Sequence, residues 1–191
     1  EYADTVFVKL DDDVVFLEVD RFADLLAPLA ENPAVVVSAN VVNNVVSAKH
    51  DPDLAPRVRE RFGLGDADDP AADRDWWRLH IDADFARFCH EWLLTERPAT
   101  IEGYTRTRPG EAISINCIAF THQIMRRLAA MLATGDRLGD EGAVDRLLPR
   151  IASSFRVAHL TFGPQEKAMT LAELDDLRAR YAAAGKEYLA L

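Results

Sequence analysis

The sequence is short of several things, and each shortage removes a class of function. Basic residues are outnumbered: 22 Lys and Arg face 32 Asp and Glu over 191 residues, a formal net charge of −10. Counterion release from a phosphate backbone needs clustered cations, so nucleic acid is not an expected partner. Cysteine is scarce. Cys89 and Cys117 match no zinc or redox spacing and read as buried thiols in a reducing compartment. No apolar run approaches the ~20 residues of a membrane span, and no basic segment leads into a signal-type apolar stretch. Nor is there a glycine-rich phosphate loop among the nine glycines. With 49% hydrophobic residues, a packed core is within reach. The expectation is a cytoplasmic globular protein forming a single domain over 1–191.

What is present alternates between strand and helix patterns, which points to an α/β fold. Val6 to Leu10 is a continuous apolar run, expected as a strand buried on both faces, with a neighbour on each side. Phe22, Leu25, Leu26 and Leu29 mark one helix face, ended at Asn32-Pro33. Val35 to Val42 is a second buried strand. The stretch from Asn43 to Arg74 reads as a long loop with one short helix at Arg57 to Phe62. Asp84 is placed as the cap of a helix carrying Phe85, Phe88, Cys89 and Trp92 on one face. Ile101 to Arg106 and Ile113 to Phe120 are read as strands joined by a Pro109-Gly110 turn. His122 to Ala133 is a helix with a stripe of Met125, Leu128, Ala129 and Leu132. Arg156 to Phe162 is a last strand, ended by Gly163-Pro164. Thr170 and Glu173 form a capping box ahead of a helix with Leu171, Leu174, Leu177 and Tyr181 on one face.

The most informative segment is Lys9-Leu10-Asp11-Asp12-Asp13-Val14-Val15-Phe16. In extended chain Asp11 and Asp13 project to one side and Asp12 to the other. Two carboxylates ~6 Å apart repel by roughly 3 kcal/mol at an effective dielectric of about 20. The cluster is either a solvated turn or a cation site, and all-oxygen ligands suit Mg²⁺ or Mn²⁺. A calcium loop of the EF-hand type fails on counting, because its glycine would fall on Phe16 and its closing glutamate on Phe22.

This segment resembles the DxD element of GT-A-type glycosyltransferases, enzymes that use nucleotide sugars and are built on a Rossmann-like sheet. Further on, Ser38-Ala39-Asn40-Val41-Val42-Asn43-Asn44, Ile113-Ser114-Ile115-Asn116, Gly139-Asp140-Glu141 and Ala158-His159-Leu160-Thr161-Phe162-Gly163-Pro164-Gln165 follow the order seen in a group of bacterial and fungal glycosyltransferase-like proteins. The resemblance implies a metal-dependent transferase moving a sugar from a nucleotide diphosphate donor to a hydroxyl acceptor. Asp11 and Asp13 would hold the metal, with His159 completing the site, and Asp12 would touch ribose or sugar hydroxyls. Asp140 or Glu141 would be the catalytic base. The implied fold is a GT-A sheet with flanking helices whose N-terminal, nucleotide-binding half precedes Glu1.

Other residues stay open between two roles. Trp76 and Trp77 suit a sugar-stacking platform or an anchor for the long loop. Asn40, Asn43 and Asn44 suit acceptor hydroxyls or the turn leaving a strand. His50, His80, His90 and His122 have no metal-spaced partners and are placed on helix or loop surfaces. The triplet would also serve a phosphohydrolase or nucleotidyltransferase, or survive in a non-catalytic interaction module derived from such an enzyme.

Overall fold

The computed structural model describes residues 2, 4–66, 69, 71–96, 104–106, 112–133, 144 and 150–188. The fold is mixed α/β, and the chain divides into two compact units. The first comprises Glu1–Asp11, Glu18–Asn40 and Ile101–Phe155; the second comprises Asp12–Leu17, Val41–Thr100 and Arg156–Leu191.

In the first unit, β1 (Val6–Leu10) pairs antiparallel with β5 (Cys117–Thr121), and β5 pairs antiparallel with β3 (Val36–Val41). Strand β3 neighbours β6 (Arg150–His159), which also pairs antiparallel with β4 (Tyr104–Arg106). All six positions of β3 are buried, as its run of apolar and small residues demands. Strand β1 differs from expectation. It has a partner on one side only among the described residues, and Val6 and Leu10 are exposed. A continuous apolar run records hydrophobicity and not position in the sheet, so an edge strand with the same composition reads identically. Helix α1 (Phe22–Glu31) buries Leu25 and Leu29 and ends at Asn32, as its spacing predicts. Helix α6 (His122–Ala133) has the expected bounds, but its buried face centres on Ile124, with Ala129 exposed. Strand β5 begins at Cys117, later than predicted, and Ile113 to Asn116 is buried irregular chain. The Pro109-Gly110 turn, the start of the predicted strand at Ile101, and the side chain of Leu132 lie outside the described residues.

The second unit holds β2 (Val14–Leu17), antiparallel to the end of β6, and most of the helices. The stretch expected as a long loop with one short helix at Arg57 to Phe62 holds that helix within α3 (Leu54–Phe62), and adds α2 (Val45–Ala48) and the start of α4 (Asp73–Arg78). Side chains rather than periodicity set these short helices. Asn44 Oδ1 accepts from the Val46 N–H, Asp51 Oδ1 accepts from the N–H groups of Asp53 and Leu54, and Gly63 closes α3 at φ 65°. Helix α5 (Ala83–Glu96) buries Phe85, Cys89 and Trp92, but its start is bonded by Asp82 and not Asp84: Asp82 Oδ1 accepts from the Asp84 N–H at 2.8 Å. Strand β6 starts and ends earlier than the expected Arg156 to Phe162, stopping at His159, and Gly163-Pro164 opens the short helix α7 (Gly163–Glu166). The capping box of α8 (Leu171–Tyr188) is formed, with Leu174, Leu177 and Tyr181 buried and Leu171 exposed. These helices enclose a core that includes Trp76, Leu54, Val58, Trp92 and Ala158.

Candidate metal centre

The site is built where β1 ends and β2 begins. Lys9 lies in β1 and Asp11 just past its end, two residues apart and projecting to the same side. The Lys9 ammonium donates to Asp11 Oδ1 at 2.6 Å and to the Ile115 carbonyl at 2.9 Å. The other oxygen, Oδ2, accepts from the side-chain amide of Asn116 at 2.7 Å. That amide is itself fixed, because its carbonyl oxygen accepts from the Ser114 hydroxyl at 2.7 Å. The Asp11 backbone N–H donates to the Asn116 carbonyl, so one residue holds Asp11 by main chain and side chain together. Lys9 thus supplies part of the positive charge that the crowded aspartates require.

Within the second unit, Asp13 Oδ1 meets His159 Nε2 at 2.6 Å. The pairing of β2 with β6 produces this contact: Val14 lies opposite His159, and the Leu160 N–H donates to the Asp13 carbonyl at 2.9 Å. The register shifts between Val14 and Phe16, a bulge of the kind that re-aims side chains beside functional sites. His159 is buried and its N–H donates to Asn43 Oδ1, while its ring stacks on Phe162 with centroids 4.6 Å apart. Asp13 is half-exposed and Asp12 is exposed.

One carboxylate oxygen each from Asp11 and Asp13 and a ring nitrogen of His159 lie within 4.8 Å of one another, a set that can hold a metal ion. Two carboxylates and an imidazole are appropriate donors for a divalent cation. Asp140 and Glu141, expected as catalytic base, lie outside the described residues, as does Gly139.

Other expectations sort by burial. Trp76 is fully buried and its ring N–H donates to the Gly65 carbonyl at 3.3 Å, so it anchors the loop, whereas Trp77 is exposed. Asn40, Asn43 and Asn44 are buried, and Asn44 caps α2. His90, placed on a surface by the sequence, is fully buried, with Nδ1 2.9 Å from the Tyr181 hydroxyl and Nε2 2.8 Å from the Leu160 carbonyl. Burial lowers its pKa to about 4. Burial, then the nearby Asp11 charge, pushes the Cys117 thiol up to about 12, and burial pushes Cys89 well above its ordinary value. Both thiols are free, and burial disfavours their nucleophilic thiolate forms.

Sequence reasoning quoted Lys9 and Asn116 within motifs without giving them a role, and missed the buried Arg156. The signal for Lys9 was its two-residue spacing from Asp11. For Arg156 it was a lone cation inside the apolar run Phe155-Arg156-Val157; its guanidinium lies 3.4 Å from Asp51, 3.2 Å from Asp53, and over the Trp92 ring. Comparison of the chain with models of protein families, with curated proteins and with solved structures returns no match.

Proposed function

We propose that the protein is a metal-dependent glycosyltransferase, acting on a nucleotide diphosphate sugar and a hydroxyl acceptor, with Mn²⁺ or Mg²⁺ held by Asp11, Asp13 and His159. The observation that carries this reading is the convergence of Asp13 on His159, 146 positions later in the chain, beside a second carboxylate. The resemblance of the Asp11–Asp13 segment to a DxD element supports it.

A bound divalent ion would supply neutralisation of the charge that builds on the diphosphate leaving group. The protein's own groups prepare that chemistry. Asn116 and Lys9 fix the rotamer of Asp11, so its carboxylate need not reorganise. Asp13 orients His159 through its Nε2. Phe162 covers one face of the imidazole and keeps water from it. A single imidazole among carboxylates favours Mn²⁺ over Mg²⁺.

The test is release of nucleoside diphosphate from UDP- and GDP-sugars. Release should require Mn²⁺ or Mg²⁺ and vanish in the Asp11→Ala, Asp13→Ala double variant. Undiminished turnover in that variant overturns the assignment.

A further inference from the structure

The main chain around His159 is gripped from two sides by buried polar side chains. Backbone pairing onto β6 reaches Val42, whose N–H donates to the Val157 carbonyl at 3.0 Å. The next contact is made by a side chain instead: Asn43 Oδ1 accepts from the His159 N–H at 3.3 Å. One residue further on, His90 Nε2 lies 2.8 Å from the Leu160 carbonyl, and its Nδ1 lies 2.9 Å from the Tyr181 hydroxyl. A carbonyl can only accept, so Nε2 carries the proton and Nδ1 accepts from Tyr181. Between the two grips, the Leu160 N–H donates to the Asp13 carbonyl at 2.9 Å.

Asn43 and His90 are fully buried, and Tyr181 nearly so. Burying such groups costs free energy that apolar side chains of similar volume would avoid. Asn43 leaves part of that cost uncovered: among the described residues its Nδ2 has no hydrogen-bond partner. An amide satisfied at one end only is poor stabilisation, which points to a use for its bonded oxygen beyond stability. That oxygen meets His159, the residue whose ring lies 2.6 Å from Asp13.

We infer that Asn43 and His90 are positioning residues for the His159 imidazole; this rests on the metal-dependent reading given above. Asp13 and Phe162 restrain the ring about its side-chain bonds, one at Nε2 and the other on the ring face. Those restraints place the ring only if the backbone that carries it is itself held. Asn43 holds the amide on one side of the His159 Cα, and His90 holds the carbonyl of the residue that follows. Metal–ligand distances tolerate about 0.2 Å, so drift of that backbone is felt as lost affinity.

The experiment measures two quantities on the whole chain. Order of the His159 ring without metal comes from carbon-13 relaxation at Cε1 in histidine-labelled protein, and Mn²⁺ affinity comes from water-proton relaxation. Asn43→Ala and His90→Phe each remove one grip, whereas His90→Gln keeps a donor for the Leu160 carbonyl. Val58→Ala, a cavity in the core of the same unit, is the control. Asn43→Ala and His90→Phe should each loosen the ring and weaken Mn²⁺ binding about tenfold, the lower end of what supporting partners of a ligand contribute. His90→Gln should match the wild type, and Val58→Ala should lower Tm with neither readout changed. Should Asn43→Ala not fold, His90→Phe against His90→Gln decides the case. Mn²⁺ bound equally by the wild type and both variants overturns the positioning role and leaves the metal centre standing. Wild-type ring order in both variants overturns it as well, and so does an equal loss in Val58→Ala, since the effect would then be general loosening. Ring order lost in both variants, with no Mn²⁺ binding to the wild type, upholds the positioning and removes the transferase reading.

Discussion

His90 shows how a single buried side chain ties stability to pH. Its imidazole sits between the Tyr181 hydroxyl and the Leu160 carbonyl, and burial lowers its pKa from the usual 6.5 to about 4. The unfolded chain then binds a proton that the folded chain refuses between these values. Stability is full above pH 6.5 and falls as the pH drops toward 4, by on the order of 3 kcal/mol for this group. We predict that His90→Phe flattens the dependence of Tm on pH across that window, as read by calorimetry at half-unit steps. A slope unchanged in the variant would assign the effect to other groups. At this scale the sequence told half the story. Asp11 and Asp13 were legible because adjacent carboxylates at a strand end advertise a shared requirement for positive charge. His159 came only through resemblance, since nothing local links it to them. His90 was misplaced because the face of α5 that meets α8 cannot be seen from either helix alone.

The elements divide by what fixes them. Helices α1 and α6 and strand β3 follow from apolar periodicity, so their bounds could be read closely. Helix α2 could not, and α3 could be read only over 57–62, because their starts rest on Asn44 and Asp51 and on packing around Trp76. Helix α8 is set by its capping box, with the Thr170 hydroxyl accepting from the Glu173 N–H and Glu173 accepting from the Thr170 N–H. Those bonds with Thr170, followed by Arg87, hold the Glu173 carboxyl down at about 2. Thr170→Ala should cost about 1 kcal/mol in a denaturant melt and speed amide exchange in the first turn of α8. Since the Glu173 pKa is depressed, its contribution is present above the usual carboxylate value of 4.5 and is lost as the pH falls toward 2. Exchange rates in that first turn identical to wild type would show that packing of Leu174 alone sets the helix start.

For the whole molecule, the open side of β1 is the feature with the widest effect. Val6 and Leu10 are exposed on a strand that is partnered on one side only among the described residues. Such an edge recruits further strands, and a lysine placed on it discourages them. The protein should therefore associate as its concentration rises, visible by sedimentation velocity, and Val6→Lys should reduce that association. Equal sedimentation of variant and wild type would mean that some other surface is responsible. The division into two units has its own consequence. Neither unit is an unbroken stretch of sequence: the chain crosses from one to the other repeatedly, at Asp11–Asp12 and again within β6 between Phe155 and Arg156. Any contiguous half made by truncation would hold fragments of both and the whole of neither.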